Sequence, residues 1–106
     1  MSFARYPSLA DRVAFVTGGG SGIGAAIVQA LAEQGARVAF VDILEDASRS
    51  LIQQLSDVDH QPLFFQCDLT DIGALRQAIQ RVYQELGPIS ILVNNAANDE
   101  RHEVEK

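Results

Sequence analysis

Thr17-Gly18-Gly19-Gly20-Ser21-Gly22-Ile23-Gly24 follows the apolar run Val13-Ala14-Phe15-Val16 and leads straight into a helical stretch from Ala25 to Gln34. In isolation such a string is compatible with a flexible turn, but between a strand and a helix it reads as a phosphate cradle. Gly18 lets the backbone turn sharply off the strand. The missing Cβ of Gly22 leaves room for a pyrophosphate, and Gly24 lets the helix pack closely on its strand. A pyrophosphate placed there meets unpaired N–H groups and the positive end of the helix dipole. The cradle set is therefore Thr17, Gly18, Gly20, Ser21, Gly22, Ile23 and Gly24.

A second determinant lies downstream. The run Arg37-Val38-Ala39-Phe40-Val41 reads as a buried strand ending on Asp42, 18 positions beyond Gly24. A ribose-binding acid belongs at that spacing. Its carboxylate can accept hydrogen bonds from both hydroxyls of an adenosine ribose and would repel the 2′-phosphate of NADP, so the expected cofactor is NAD. No Lys or Arg lies between Gly18 and Gly24 to hold an extra phosphate. Ile43, next along the chain, joins the cofactor-binding set. The competing reading of Asp42 is a solvated strand-end acid or the N-cap of the next helix.

Strands are expected near residues 12–17, 37–42, 62–67 and 89–94, and helices near 23–34, 45–56 and 71–86. The strands are apolar almost throughout, as in a parallel sheet covered on both faces, and the alternation with amphipathic stretches predicts a doubly wound α/β fold. Right-handed crossovers give the strand order 3-2-1-4. The ending Asn98-Asp99-Glu100-Arg101-His102-Glu103-Val104-Glu105-Lys106 is charged and reads as a loop or the opening turn of a helix.

Composition excludes several classes. The 106 residues amount to one small domain, with 47% hydrophobic residues to build its core. A net charge of −6, with eight scattered Lys and Arg, argues against nucleic acid. Cys67 is the single cysteine and cannot close an internal disulfide. With no secretory leader and no apolar run of membrane-spanning length, a cytoplasmic location is expected, with no membrane partner.

Together these motifs resemble the short-chain dehydrogenase/reductase family over nearly the whole chain. The match comprises Thr17, Gly18, Gly22 and Gly24 of the cradle, the strand-end Asp42, Asp68-Leu69 after the third strand and Asn94-Asn95-Ala96-Ala97 after the fourth, with Ala97 where the family carries Gly. The resemblance implies a Rossmann-type sheet. It also implies that Asp68 and Leu69 hold the adenine ring and that Asn95, Ala96 and Ala97 line the ribose side of the cofactor groove. Tyr6-Pro7-Ser8-Leu9, Val41-Asp42-Ile43, Cys67-Asp68-Leu69 and Asn98-Asp99-Glu100-Arg101-His102 further resemble NAD-dependent sugar dehydrogenases of the D-xylose 1-dehydrogenase type. Those enzymes oxidise an aldose at its anomeric carbon, which makes a small sugar or alcohol the expected substrate.

The family's catalytic Ser, Tyr and the Lys four residues after that Tyr are not found. Tyr83 is followed at that distance by Gly87, and its spacing with Ile79, Val82 and Leu86 suggests ordinary packing. Ser21 and Ser90 have no neighbouring base. His60 and His102 stand alone, and Cys67 reads as a small core residue. No catalytic or metal-binding residue is therefore assigned. Residues 1–106 are expected to be the NAD-binding domain of a homo-oligomeric parent, stopping before its catalytic segment, inactive alone and prone to aggregate through an open fourth strand. The alternatives are a complete, non-catalytic NAD-binding module, or a reductase of another carbonyl substrate such as a 3-oxoacyl thioester or a steroid.

Overall fold

The computed structural model describes residues 7–20 and 22–95. After a 3-10 turn at Pro7–Leu9, the elements run β1 (Val13–Thr17), α1 (Gly22–Glu33), β2 (Arg37–Asp42), α2 (Glu45–Gln54), β3 (Leu63–Gln66), α3 (Ile72–Glu85) and β4 (Ile91–Asn94). All strand pairs are parallel, in the order β3-β2-β1-β4. This is the expected doubly wound sheet. Among the described residues, no helix is long and apolar enough to cross a membrane.

The two inner strands owe their apolar runs to burial on both sides. Successive side chains of a strand point to opposite faces. Ala14, Val16, Val38 and Phe40 accordingly pack with Val28 and Ala32 of α1 and with Leu51 and Leu55, while Val13, Phe15, Ala39 and Val41 pack with Ala78 and Val82 of α3. β3 and β4, at the edges, are only partly buried, and Leu92 is 67% exposed.

Element ends differ slightly from expectation, for local reasons. Pro62 has no N–H to donate, so β3 opens at Leu63. β4 opens at Ile91, although Ser90 N already donates to the Val13 carbonyl at 2.9 Å. α2 stops at Gln54 because the Leu55 N–H turns back to the Ile52 carbonyl at 3.0 Å. α3 is capped by the Asp71 carboxylate, which accepts from Ala74 N at 3.0 Å.

Phe40 links the core to the cradle. It is fully buried, its ring lies 5.3 Å from that of Phe64, and a Cβ on Gly19 would come within 2.7 Å of its own Cβ. Phe40→Ala should therefore lower stability by about 3–5 kcal/mol, a large share of the ~5–15 kcal/mol that holds a typical domain together. Denaturant titration followed by circular dichroism would read the loss directly. A shift below about 1 kcal/mol would mean the ring does not support this core.

Candidate functional site

The sheet order reverses between β1 and β4, and a crevice opens beyond the carboxyl ends of the strands at such a point. Residues from all four strand ends gather there. After β1 the chain turns at Gly18, which has φ 70°, and the Gly18 and Gly19 amides donate to the Val41 carbonyl at 2.8 and 3.3 Å. The loop is thus laid across the end of β2. Gly22 opens α1 at φ 60° with nothing within 4 Å of where a Cβ would stand. Gly24 is the opposite case. A Cβ there would lie 2.8 Å from the Gly18 carbonyl carbon, 2.9 Å from Asn95 Nδ2 and closer still to the Gly18 oxygen. One glycine answers to backbone conformation on an open side, the other to a closed helix–turn contact.

Asp42 ends β2 facing this turn. Its Oδ2 accepts from Gly20 N and its Oδ1 from Leu44 N, both at 2.9 Å. Leu44, not Asp42, is the N-cap residue of α2, and its side chain makes no capping bond. Each carboxylate oxygen keeps a lone-pair direction for an incoming hydroxyl. Ile43 beside it is 60% exposed, and Ile23 at the start of α1 is 73% exposed. Both are exposed apolar side chains beside the polar strand ends.

At the end of β3, Gln66 Nε2 donates to the Ile43 carbonyl at 3.3 Å, tying β3 to the turn after β2. Asp68 Oδ1 accepts from the Thr70 amide at 3.0 Å and from the Thr70 hydroxyl at 2.8 Å. The amide bond first, then the hydroxyl bond, holds the Asp68 carboxyl below the usual carboxylate range. Leu69 is half-buried against the α3 side of the core. Burial pushes the Cys67 thiol up, and Asp71 and Asp68 push it further, so it is a neutral core group at neutral pH.

Beyond β4, Thr17 Oγ1 donates to Asn94 Oδ1 at 3.0 Å, and Asn95 Nδ2 donates to the Gly18 carbonyl at 3.2 Å. The Asn95 amide thus braces the turn from the β4 side. Ser21, Ala96, Ala97 and His102 lie outside the described residues.

Two expectations away from the cleft are corrected. Tyr83 is 52% exposed and not packed: Ala78, Val82 and the partly buried Ile79 and Leu86 form the inward stripe, and one helical step past Val82 turns Tyr83 outward. His60 is not alone, for its Nε2 lies 2.7 Å from Asp11 Oδ1, a partner 49 positions away that spacing cannot reveal. Sequence reading also missed Ser48, which is fully buried beneath the turn. A small polar residue on the same face of α2 as Leu51 and Leu55 was the available signal.

The glycines yield opposite expectations. Gly24→Ala should lower the melting temperature and abolish nucleotide binding together, since no neighbour can move away from a backbone carbonyl contact. Gly22→Ala should keep the circular dichroism of the parent apart from about 1–2 kcal/mol of left-handed strain, with loss confined to binding. Melting curves and nucleotide titration check both. A Gly24→Ala chain as stable as the parent would rule out the close contact.

The comparisons fit this geometry. A family model described as short chain dehydrogenase matches residues 12–106. The chain is 48% identical over 103 residues to the Rhizobium meliloti protein named "Probable galactose dehydrogenase GalD", covering 96% of this chain and 40% of that one. It is 44% identical over 104 residues to D-xylose 1-dehydrogenase of Caulobacter vibrioides, covering 98% and 40%. A Serratia marcescens short-chain dehydrogenase/reductase structure superposes with TM-score 0.78 at 40% identity, over 85% of this chain and 37% of that one. The chain therefore spans about two fifths of the length of the curated relatives it matches. With the sheet order, the glycine turn and the matched residues in agreement, the chain belongs to the short-chain dehydrogenase family.

Proposed function

We propose that this chain binds NAD for an oxidoreductase acting on a sugar or another small polyol. Asp42 carries the reading. Two backbone amides, 2.9 Å from its two oxygens, hold a negative charge at the end of β2 against the glycine turn. A carboxylate fixed there accepts ribose hydroxyls and repels a 2′-phosphate. The pyrophosphate would lie over Gly22, where space is open, at the helix N-terminus. Asp68 would face the adenine ring together with Leu69, and Ile43 and Ile23 would cover the apolar parts of the nucleotide.

The residues present fit this group: the space above Gly22 is open, the helix end offers donors, and the acid lies one hydrogen bond from the turn. When bound, the dinucleotide supplies the redox chemistry of its nicotinamide ring. The chain's own residues bind and orient it. The named relatives support the substrate class, since they include a D-threitol dehydrogenase of Mycolicibacterium smegmatis, 43% identical over 88 residues that cover 83% of this chain and 34% of that one, besides the galactose and D-xylose enzymes.

NAD should bind this chain about ten- to a hundredfold more tightly than NADP, the span that one or two charge-assisted hydrogen bonds provide. Asp42→Ala should bring the two affinities close together, and Asp42→Asn should fall between, keeping acceptor capacity without the charge. Calorimetric titration of both nucleotides decides the matter. Equal affinities in the unmutated chain would sink the assignment.

A further inference from the structure

Ser48 is completely buried, and three contacts converge on it. Its hydroxyl and its amide both donate to the Leu44 carbonyl, at 2.7 and 3.2 Å. Leu44 in turn donates its own N–H to Asp42 Oδ1. On its other side the Ser48 hydroxyl lies under Gly20, so near that a Cβ on Gly20 would overlap it, and Gly20 donates its N–H to Asp42 Oδ2. One side chain therefore touches both residues whose amides hold the two oxygens of one carboxylate.

Helix packing alone explains a small residue here but not a serine. Alanine favours the helix more, and a buried hydroxyl needs a partner. The bond that satisfies it ties down Leu44, and the volume of the hydroxyl sets the height of Gly20. Both effects reach Asp42, which Ser48 itself does not bond.

We propose that Ser48 is a positioning residue that sets dinucleotide choice by holding the Asp42 carboxylate still; this rests on the reading of Asp42 as the ribose-binding acid. Discrimination against a 2′-phosphate requires negative charge that stays where the phosphate must enter. A carboxylate free to rotate relieves the repulsion by turning aside. The Gly20 and Leu44 amides prevent that rotation, and Ser48 sets the position of both.

The test is a double-mutant cycle on the chain, titrating NAD and NADP separately and following fold and melting by circular dichroism. Ser48→Ala should lower the ratio of the NADP to the NAD dissociation constant about three- to tenfold, one ordinary hydrogen bond's worth. Gly20→Ala should lower it about tenfold, because the new Cβ meets the hydroxyl and stands 3.0 Å from Asp42 Oδ2. In the double variant the missing hydroxyl makes room for the Cβ, so the ratio should recover part of the way toward the parent, a non-additive result expected of residues in contact. Should Gly20→Ala fail to fold, Ser48→Ala alone carries the test. A merely structural role for Ser48 would lower both affinities and the melting temperature with the ratio unchanged, and that result, or strict additivity in the cycle, overturns the proposal. If Asp42→Ala abolishes discrimination while Ser48→Ala leaves it intact, only this proposal falls. If the unmutated chain does not discriminate, the Asp42 reading falls and takes this one with it.

Discussion

Everything at the functional end of this sheet depends on one close approach, that of Gly24 in α1 to the carbonyl of Gly18 in the turn before it. No side chain fits between them. Because the contact is backbone to backbone, it fixes both the point where α1 begins and the direction in which it leaves the turn. The same buried face continues along the helix through Val28 to Ala32, both fully or almost fully buried, and packs on β1 and β2. Asn95 reaches the same Gly18 carbonyl from the β4 side. A single carbonyl thus joins the turn, the helix and the edge strand, with the first N–H groups of α1 beside the crevice.

The chemistry of the cleft follows from what surrounds that fixed turn. Parallel pairing brings Thr17, Asp42, Gln66 and Asn94 to one end of the sheet, since β1, β2, β3 and β4 finish together. The polar groups there bond to one another's neighbours more than to their own: Gly20 to Asp42, Gln66 to the Ile43 carbonyl, Thr17 to Asn94. Such cross-strand ties order the side chains before any ligand arrives and lower the entropy a ligand must remove. At the opposite end the groups serve the scaffold. Asp11, at φ 63°, pairs with His60, and Arg12 Nε donates to Ser90 Oγ at 2.9 Å.

The edges of the sheet are handled differently. Phe64 and Phe65 of β3 point to opposite faces, and each is overlaid by an arginine, Arg49 from α2 at 5.4 Å and Arg81 from α3 at 5.7 Å. Those arginines also pair with Glu45 and Glu85 one helical turn away. The exposed ion pairs themselves add little, but they hold long apolar stems over the rings and keep a short edge strand covered and charged. β4 has no such cover among the described residues, and its Leu92 side chain faces outward.

The sequence determined the architecture, because the physics that sets it is local and periodic. Continuous apolar runs such as Val13-Ala14-Phe15-Val16, separated by helical stretches of suitable length, admit few solutions other than a parallel sheet with helices on both faces, and the order 3-2-1-4 followed. The glycine turn and the strand-end acid were legible for the same reason: each sits at a fixed offset from a neighbouring element. Contacts between residues distant in the chain were not. Nothing in the spacing tells that His60 meets Asp11 or that Asn95 turns its amide toward Gly18. Above all, Asp42, Leu44 and Ser48 are local neighbours at the start of α2, but only the folded chain lays Gly20, from the turn after β1, over Ser48 and against the Asp42 carboxylate, because parallel pairing of β1 with β2 carries the turn there.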